Sequence, residues 1–184
     1  MVNLTDVDWS VIPSPEDDGA ANHLSGMKIP SVLLDSTSGK RVDLAAQSGL
    51  VVVYAYPMTG TPGVALPDGW DMLPGARGCT PQSCSFRDHA KELAARGVDK
   101  VYGVSTQTTA DQQEAAARLE LPFELLSDSD HALADSLQLP TFEVEGKRLL
   151  KRLTLVLRDT EVVQVFYPVF PPDANAAEVL NWLA

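Results

Sequence analysis

Cysteine is nearly absent from this chain: Cys79 and Cys84 are the only two in 184 residues. Histidine is almost as scarce, with His23, His89 and His131 the only three. None of them has ligand spacing to the cysteine pair, so the roughly four ligands of a structural zinc site are not assembled. No CxxC occurs, which weakens any reading as a dedicated disulfide reductase. No apolar run approaches the roughly 20 residues of a membrane span. Cationic side chains are also short, 14 Lys and Arg against 25 Asp and Glu, for a net charge of −11. That balance excludes the usual means of holding nucleic acid or an anionic membrane surface, both of which select for Lys and Arg. The first residues, "MVNLTDVDWSVIPSPEDDG", have neither a basic nor an apolar targeting segment. The expectation is a soluble cytoplasmic protein. Thiols are kept reduced in that compartment, so a close cysteine pair leans towards chemistry and away from a permanent staple.

What is present is an ordinary globular composition, 45% hydrophobic and 21% charged. A chain of this length is most simply one domain, able to bury about 70% of its unfolded surface. Residues 1–28 hold Pro, Asp, Gly and Ser without a clear period and read as an N-terminal arm. Residues 29–184 then form a single domain. "SVLLDSTSGKRVDLAA" reads as two short strands about a turn at Ser36–Lys40. Leu50–Pro57, "LVVVYAYP", is continuous, apolar and β-branched, which suits a central strand covered on both faces. About twenty residues dense in Gly and Pro follow, too many for an idle loop. A helix is then expected, with Thr80 as N-cap, Pro81 at the first position, Phe86, Ala90 and Leu93 at helical spacing, and Gly97 as the stop. Beyond it Val101–Val104 reads as a strand and Ala110–Leu119 as a helix. "FELLSD" gives a strand and "HALADSLQL" a short helix. Arg152–Leu157 and Val162–Tyr167 make a hairpin turning at Asp159–Thr160, and "ANAAEVLNWL" a closing helix. Strands alternating with helices predict an α/β domain with a central mixed β-sheet flanked by helices.

The stretch "GCTPQSCSFRDHAKEL" makes the two thiols unequal. Cys79 stands at the expected helix start, where free N–H groups and the helix dipole stabilise a thiolate. Cys84 lies about one turn inside. Residues five apart on a regular helix have Cα atoms roughly 8–9 Å apart, whereas a disulfide needs about 4.4–6.8 Å. Either the pair never bonds, or the first turn unwinds to let it. Two unrelated buried thiols would satisfy the same spacing.

"VVVYAYPMTGTPG" followed by "GCTPQSCSFRD" resembles the peroxiredoxins, and most closely their Q-type (bacterioferritin-comigratory) group. That signature is a buried strand ending in Pro, then three residues, Thr, two residues and the peroxidatic Cys, with a resolving Cys five positions later. Pro57, Thr61, Cys79 and Cys84 take those places. "SGKRVDLAA", "VYGVST" and "PFELLSDSDHALADSLQL" fit further family segments in order, and "KRLTLVLRD" resembles the one carrying the active-site arginine, Arg152. The resemblance runs over about 150 residues, from Val32 to the C-terminal helix.

The resemblance implies a thioredoxin-like fold and a thiol peroxidase without metal, haem or flavin. Cys79 would attack a hydroperoxide, hydrogen peroxide or organic, and become a sulfenic acid. Arg152 would stabilise the charges, Thr61 would orient the peroxide, and Pro57, with Pro62, would shield the thiolate. Cys84 would close an intramolecular disulfide, recycled by a thioredoxin-like donor, so that a monomer suffices. Two rivals use the same residues: a peroxide sensor or thiol-dependent chaperone without fast turnover, and a thioredoxin-fold binding module with an inert pair. One departure stands out. "VALPDGWDMLPGAR", residues 64–77, is inserted between the Thr61 segment and Gly78, leaving Ala76, which has no hydroxyl, three before Cys79. The expectation is that the insertion loops out and returns Thr61 to Cys79; otherwise the hydroxyl role is lost or passes to Thr80 or to water. Arg77 could add positive charge or be a solvated loop residue. Trp70, Met72 and Leu73 could wall the pocket, contact another subunit or form a plain excursion.

Overall fold

The computed structural model describes residues 6–184; the first five residues of the expected arm lie outside them. In chain order the strands are β1 (Leu33–Ser36), β2 (Arg41–Asp43), β3 (Leu50–Ala55), β4 (Lys100–Ser105), β5 (Glu124–Ser127), β6 (Thr141–Val144), β7 (Lys147–Leu150), β8 (Leu153–Arg158) and β9 (Glu161–Phe166). The helices are α1 (Cys79–Asp88), α2 (Ala90–Ala95), α3 (Thr109–Arg118), α4 (Ala132–Leu137) and α5 (Asn175–Trp182). Seven strands form one mixed sheet in the order β2-β1-β5-β4-β3-β8-β9. β3, β4 and β5 run parallel, and the remaining pairs are antiparallel. The α/β reading with a central mixed sheet therefore holds.

The alternation of β3 explains its unbroken apolar run. Val51, Val53 and Ala55 face a core with Leu133, Ala134 and Leu137 of α4. Leu50, Val52 and Tyr54 face the other core, built with Phe86 of α1, Leu93 of α2, and Ala176 and Val179 of α5. Both faces are covered, so no polar residue is needed on either. Cys79 belongs to this second core.

The arm is packed against the domain. Ala21 and Leu24 join the first core. Asp18 accepts hydrogen bonds from Lys151 and Tyr167, each at 2.7 Å, tying the arm to residues flanking β8 and β9.

Two elements differ from the sequence reading. The helix expected to run to Gly97 is interrupted at His89, whose ring Nδ1 lies 2.9 Å from the Ser85 carbonyl that its own backbone N–H also reaches. A hairpin absent from that reading, β6–β7, forms a separate two-stranded sheet. It turns at Glu145–Gly146, both at positive φ, as two-residue hairpin turns favour. Leu149, Phe142 and Val144 of this hairpin pack against Trp70, Leu66 and Leu73, so it is the platform on which the inserted loop rests.

Candidate active site

The helix carrying both cysteines begins two residues earlier than the sequence suggested. Thr80 is not the N-cap and Pro81 is not the first helical residue. Gly78 takes the cap in the left-handed region, at φ 112°, and Cys79 opens the helix. The cause is tertiary. A Cβ at position 78 would stand 2.5 Å from Pro172 Cγ and 2.8 Å from Trp9 Cη2, so only glycine lets these rings close over the chain here. Cys79 and Cys84 thus share one helix, and they are unbonded. In regular geometry their Cα atoms are about 8–9 Å apart and about 140° apart around the axis.

Cys79 is 3% exposed. Its Sγ lies 3.7 Å from the Ala76 carbonyl and 3.2 Å from Arg152 Nη2. The residue three before Cys79 therefore contributes its backbone rather than a hydroxyl. Arg152, 2% exposed, precedes β8 and reaches across to the start of α1. Its Nη2 donates also to the carbonyls of Gly75, Ala76 and Arg77, at 3.3, 3.1 and 3.2 Å. Nη1 donates to Gln82 Oε1 at 2.5 Å, and Nε has no partner. Among the described residues no carboxylate pairs with this guanidinium. A buried charge without a counter-ion is costly. The Cys79 sulfur, at the start of α1, is in contact with this guanidinium.

Gln82 and Asn175, both fully buried, are the site residues that sequence reasoning missed. Gln82 Nε2 donates to Asn175 Oδ1 at 3.1 Å, which also accepts from Thr154 Oγ1 at 2.6 Å. This chain couples Arg152 to α1, α5 and β8. Gln82 could have been found from its i+3 placement on the Cys79 face of the helix; Asn175 had no local signal.

The remaining candidates are dispersed around the sulfur. Cys84 is half-buried on the same helix, and burial pushes its thiol above the ordinary cysteine value, partly opposed by Arg87 and Arg118. Pro57 is buried at the end of β3, and Pro62 is exposed. The small pocket over Cys79 is lined by Met58, Gly60, Leu66, Trp70, Arg77, Thr80 and Pro81, among others. Thr61 lines the larger cavity next to it. Thr80, not Thr61, thus stands in the wall of the Cys79 pocket. Arg77 is ion-paired to Asp71 at 2.6 Å with its side chain 17% exposed, so it is not a solvated loop residue. Arg118 fixes the pocket wall by donating to the Gly60 carbonyl at 2.9 Å. Phe86 stacks on Tyr54 with centroids 4.6 Å apart, and Arg87 donates to the Leu119 carbonyl, so the "FRD" stretch clamps α1 to the sheet and to the end of α3. Tyr54 and Tyr56 share the second core with Cys79, and burial raises their hydroxyls above the usual range. No cluster of metal-ligating side chains occurs among the described residues.

A buried thiol at a helix start, set against a buried guanidinium just before β8, lies in a mixed α/β domain of thioredoxin-like fold, the class of the oxidoreductases that the chain resembles. The Redoxin family profile matches residues 24–180. A putative peroxiredoxin bcp of Coxiella burnetii is 28% identical over 162 residues, covering 86% of this chain and 97% of that protein. The chloroplastic peroxiredoxin Q of Oryza sativa subsp. japonica is 32% identical over 160 residues, covering 86% of this chain and 65% of that protein. The crystal structure of peroxidoxin BcpB from Mycobacterium tuberculosis superposes with a TM-score of 0.69 at 29% identity, over 86% of this chain and 95% of that one. The chain belongs to the Redoxin family and, within it, to the Q-type peroxiredoxins, thiol peroxidases among the oxidoreductases.

Proposed function

We propose that this chain reduces hydrogen peroxide and organic hydroperoxides through a Cys79 sulfenic acid, which Cys84 resolves as an intramolecular disulfide. The observation that carries the reading is the buried Arg152 guanidinium, without a carboxylate partner, 3.2 Å from Cys79 Sγ. The Cys79 thiolate attacks the terminal peroxide oxygen, the O–O bond breaks, and the departing oxygen takes a proton to leave as water or an alcohol. Arg152 stabilises both the thiolate and the charge developing on that oxygen. Pro57, buried just beyond β3, would shield the thiolate, and the hydroxyls available to orient the peroxide are Thr80 in the pocket wall and Thr61 in the larger cavity beside it. The first turn of α1 then unwinds, and the Cys84 sulfur displaces the sulfenic oxygen as water. A dithiol donor of the thioredoxin type reduces the disulfide. One chain supplies both cysteines, so the cycle runs in a monomer, and the reducing cytoplasm is the compartment that fits it.

Mass spectrometry after one equivalent of hydrogen peroxide tests this. The parent chain should lose two hydrogens as a disulfide, Cys84→Ser should gain one oxygen on Cys79, and Cys79→Ser should leave the peroxide unconsumed. Steady-state turnover with a thioredoxin system separates an enzyme from a sensor or chaperone. Normal cycling of Cys84→Ser in that system would remove Cys84 from the mechanism.

A further inference from the structure

The inserted loop borders a wider, partly open cavity than the site beside it. The pocket over Cys79 has a volume of about 20 Å³. A water needs roughly 10–15 Å³ measured this way, so the pocket holds one to two water-sized groups, the scale of a peroxide's O–O end. Residues 60–72 line a second cavity of about 1060 Å³. Gly60, Leu66 and Trp70 line both, so the two adjoin across these residues.

We propose that this second cavity binds the organic part of an uncharged, apolar hydroperoxide while its –OOH end reaches Cys79. The inference rests on the peroxidase reading above and adds to it a site built by residues 64–72 of this chain.

Three observations support it. The cavity is held in shape from outside: Trp70, 4% exposed, packs on Leu149 and Phe142, and the Asp68 N–H donates to Glu145 Oε1. Its rim keeps large apolar side chains in water, Val64 at 65% and Met72 at 64% exposure, which the packing of the loop does not require. Its lining contains Asp68 and Asp71 and no Lys or Arg. Asp71 is neutralised by Arg77, but Asp68 and the net charge of −11 repel a substrate bearing a carboxylate. An ester or an aromatic hydroperoxide meets no such penalty. In the reaction the Cys79 sulfur bonds to the terminal oxygen and is oxidised by two electrons. The O–O bond breaks, and the alkoxide takes a proton and leaves through the cavity as the alcohol.

The test measures the rate constant of Cys79 oxidation by hydrogen peroxide, cumene hydroperoxide, linoleic acid hydroperoxide and its methyl ester. The parent should react faster with the ester than with the free acid. In a Val64→Glu/Met72→Glu variant the ratio of the cumene hydroperoxide to the hydrogen peroxide rate constant should fall about tenfold, from lost apolar contact. The hydrogen peroxide rate constant itself should stay within about twofold, since neither side chain lines the Cys79 pocket. Val64→Ser, which adds no charge, should shift the ratio less and in the same direction. An unchanged ratio, or a free acid as fast as its ester, overturns the cavity assignment while leaving the peroxidase reading intact. Failure of every peroxide to oxidise the parent overturns that reading, and this inference with it.

Discussion

Replacing Gln82 with leucine should slow peroxide reduction without touching the reacting atoms. The Gln82 amide oxygen accepts from Arg152 Nη1 at 2.5 Å, and its nitrogen donates to Asn175 Oδ1 at 3.1 Å. Arg152 Nε has no partner already, so leucine leaves two of the three guanidinium nitrogens unsatisfied in the core. A hydrogen bond to a charged group contributes about 1.5–3 kcal/mol. Asn175 keeps the bond from Thr154 at 2.6 Å, so its loss is small, and added apolar contact by leucine offsets part of the rest. The net destabilisation should be about 2 kcal/mol. The functional loss follows from orientation, because Nη2 alone would hold the guanidinium towards Cys79. Loss of one preorganised donor in such sites costs about 10²–10³; weakening one should cost about 10–100-fold. Stopped-flow oxidation of Cys79 in a Cys84→Ser background isolates the first step, and thermal unfolding run beside it reports the stability change. Gln82→Glu keeps an acceptor for Nη1 but sets a carboxylate against the guanidinium and loses the donor to Asn175, so it should not restore the rate. A folded Gln82→Leu protein reacting within twofold of its background would refute the coupling.

The second step should depend on pH and on the arm. Burial raises the Cys84 thiol, so the wound helix favours its neutral form and the unwound helix ionises at lower pH. The stability that a neutral Cys84 lends the wound turn is full below the unfolded thiol value and is lost as pH rises towards the folded one. Disulfide formation from the sulfenic acid should therefore accelerate between about pH 7 and 9, by up to about tenfold per unit; a flat rate in quench-flow mass spectrometry would contradict this. Trp9 lies against Gly78, stacks edge-on to Phe170 at 5.9 Å and donates to Asp173 at 2.9 Å, holding the cap that must open. Trp9→Ala should speed disulfide formation about fivefold, the equivalent of about 1 kcal/mol of aromatic packing, and a slower or equal rate would show that the arm does not restrain the turn.

The elements legible in the sequence are those whose residues carry their own reason. β3 announces a strand covered on both sides because every residue from Leu50 to Ala55 is buried. The β8–β9 hairpin shows itself through two β-branched runs about Asp159–Thr160, both at positive φ. Cys79 was singled out by its place at the expected helix start, and Arg152 only through the order of segments along the chain; nothing local to Arg152 says that it is buried. What escaped depends on distant partners. Thr80-Pro81 is a sound cap signal, yet Trp9 and Pro172 close over Gly78 and move the helix start back to Cys79. The hairpin β6–β7 carries its turn signal at Glu145–Gly146, but its apolar face meets the insertion instead of the main sheet, so its alternation answered to a surface not yet placed. Gln82 and Asn175 lie 93 residues apart, and a buried amide pair leaves no local pattern.

The insertion is more than a wall added to a finished site, because its two ends do different work. Its early residues form the wide cavity, and its last three, Gly75, Ala76 and Arg77, present their carbonyls to Arg152 Nη2. Those carbonyls hold the guanidinium against Cys79 Sγ without neutralising it, as a carboxylate would. They satisfy a donor and leave the charge available to the sulfur. Shortening the loop would therefore have to rebuild three acceptors at the same place, and a truncation that only removed the cavity would also release Arg152. Substitutions at Val64 and Met72 separate the two roles, since both side chains lie at the rim and neither contributes to the carbonyl cradle.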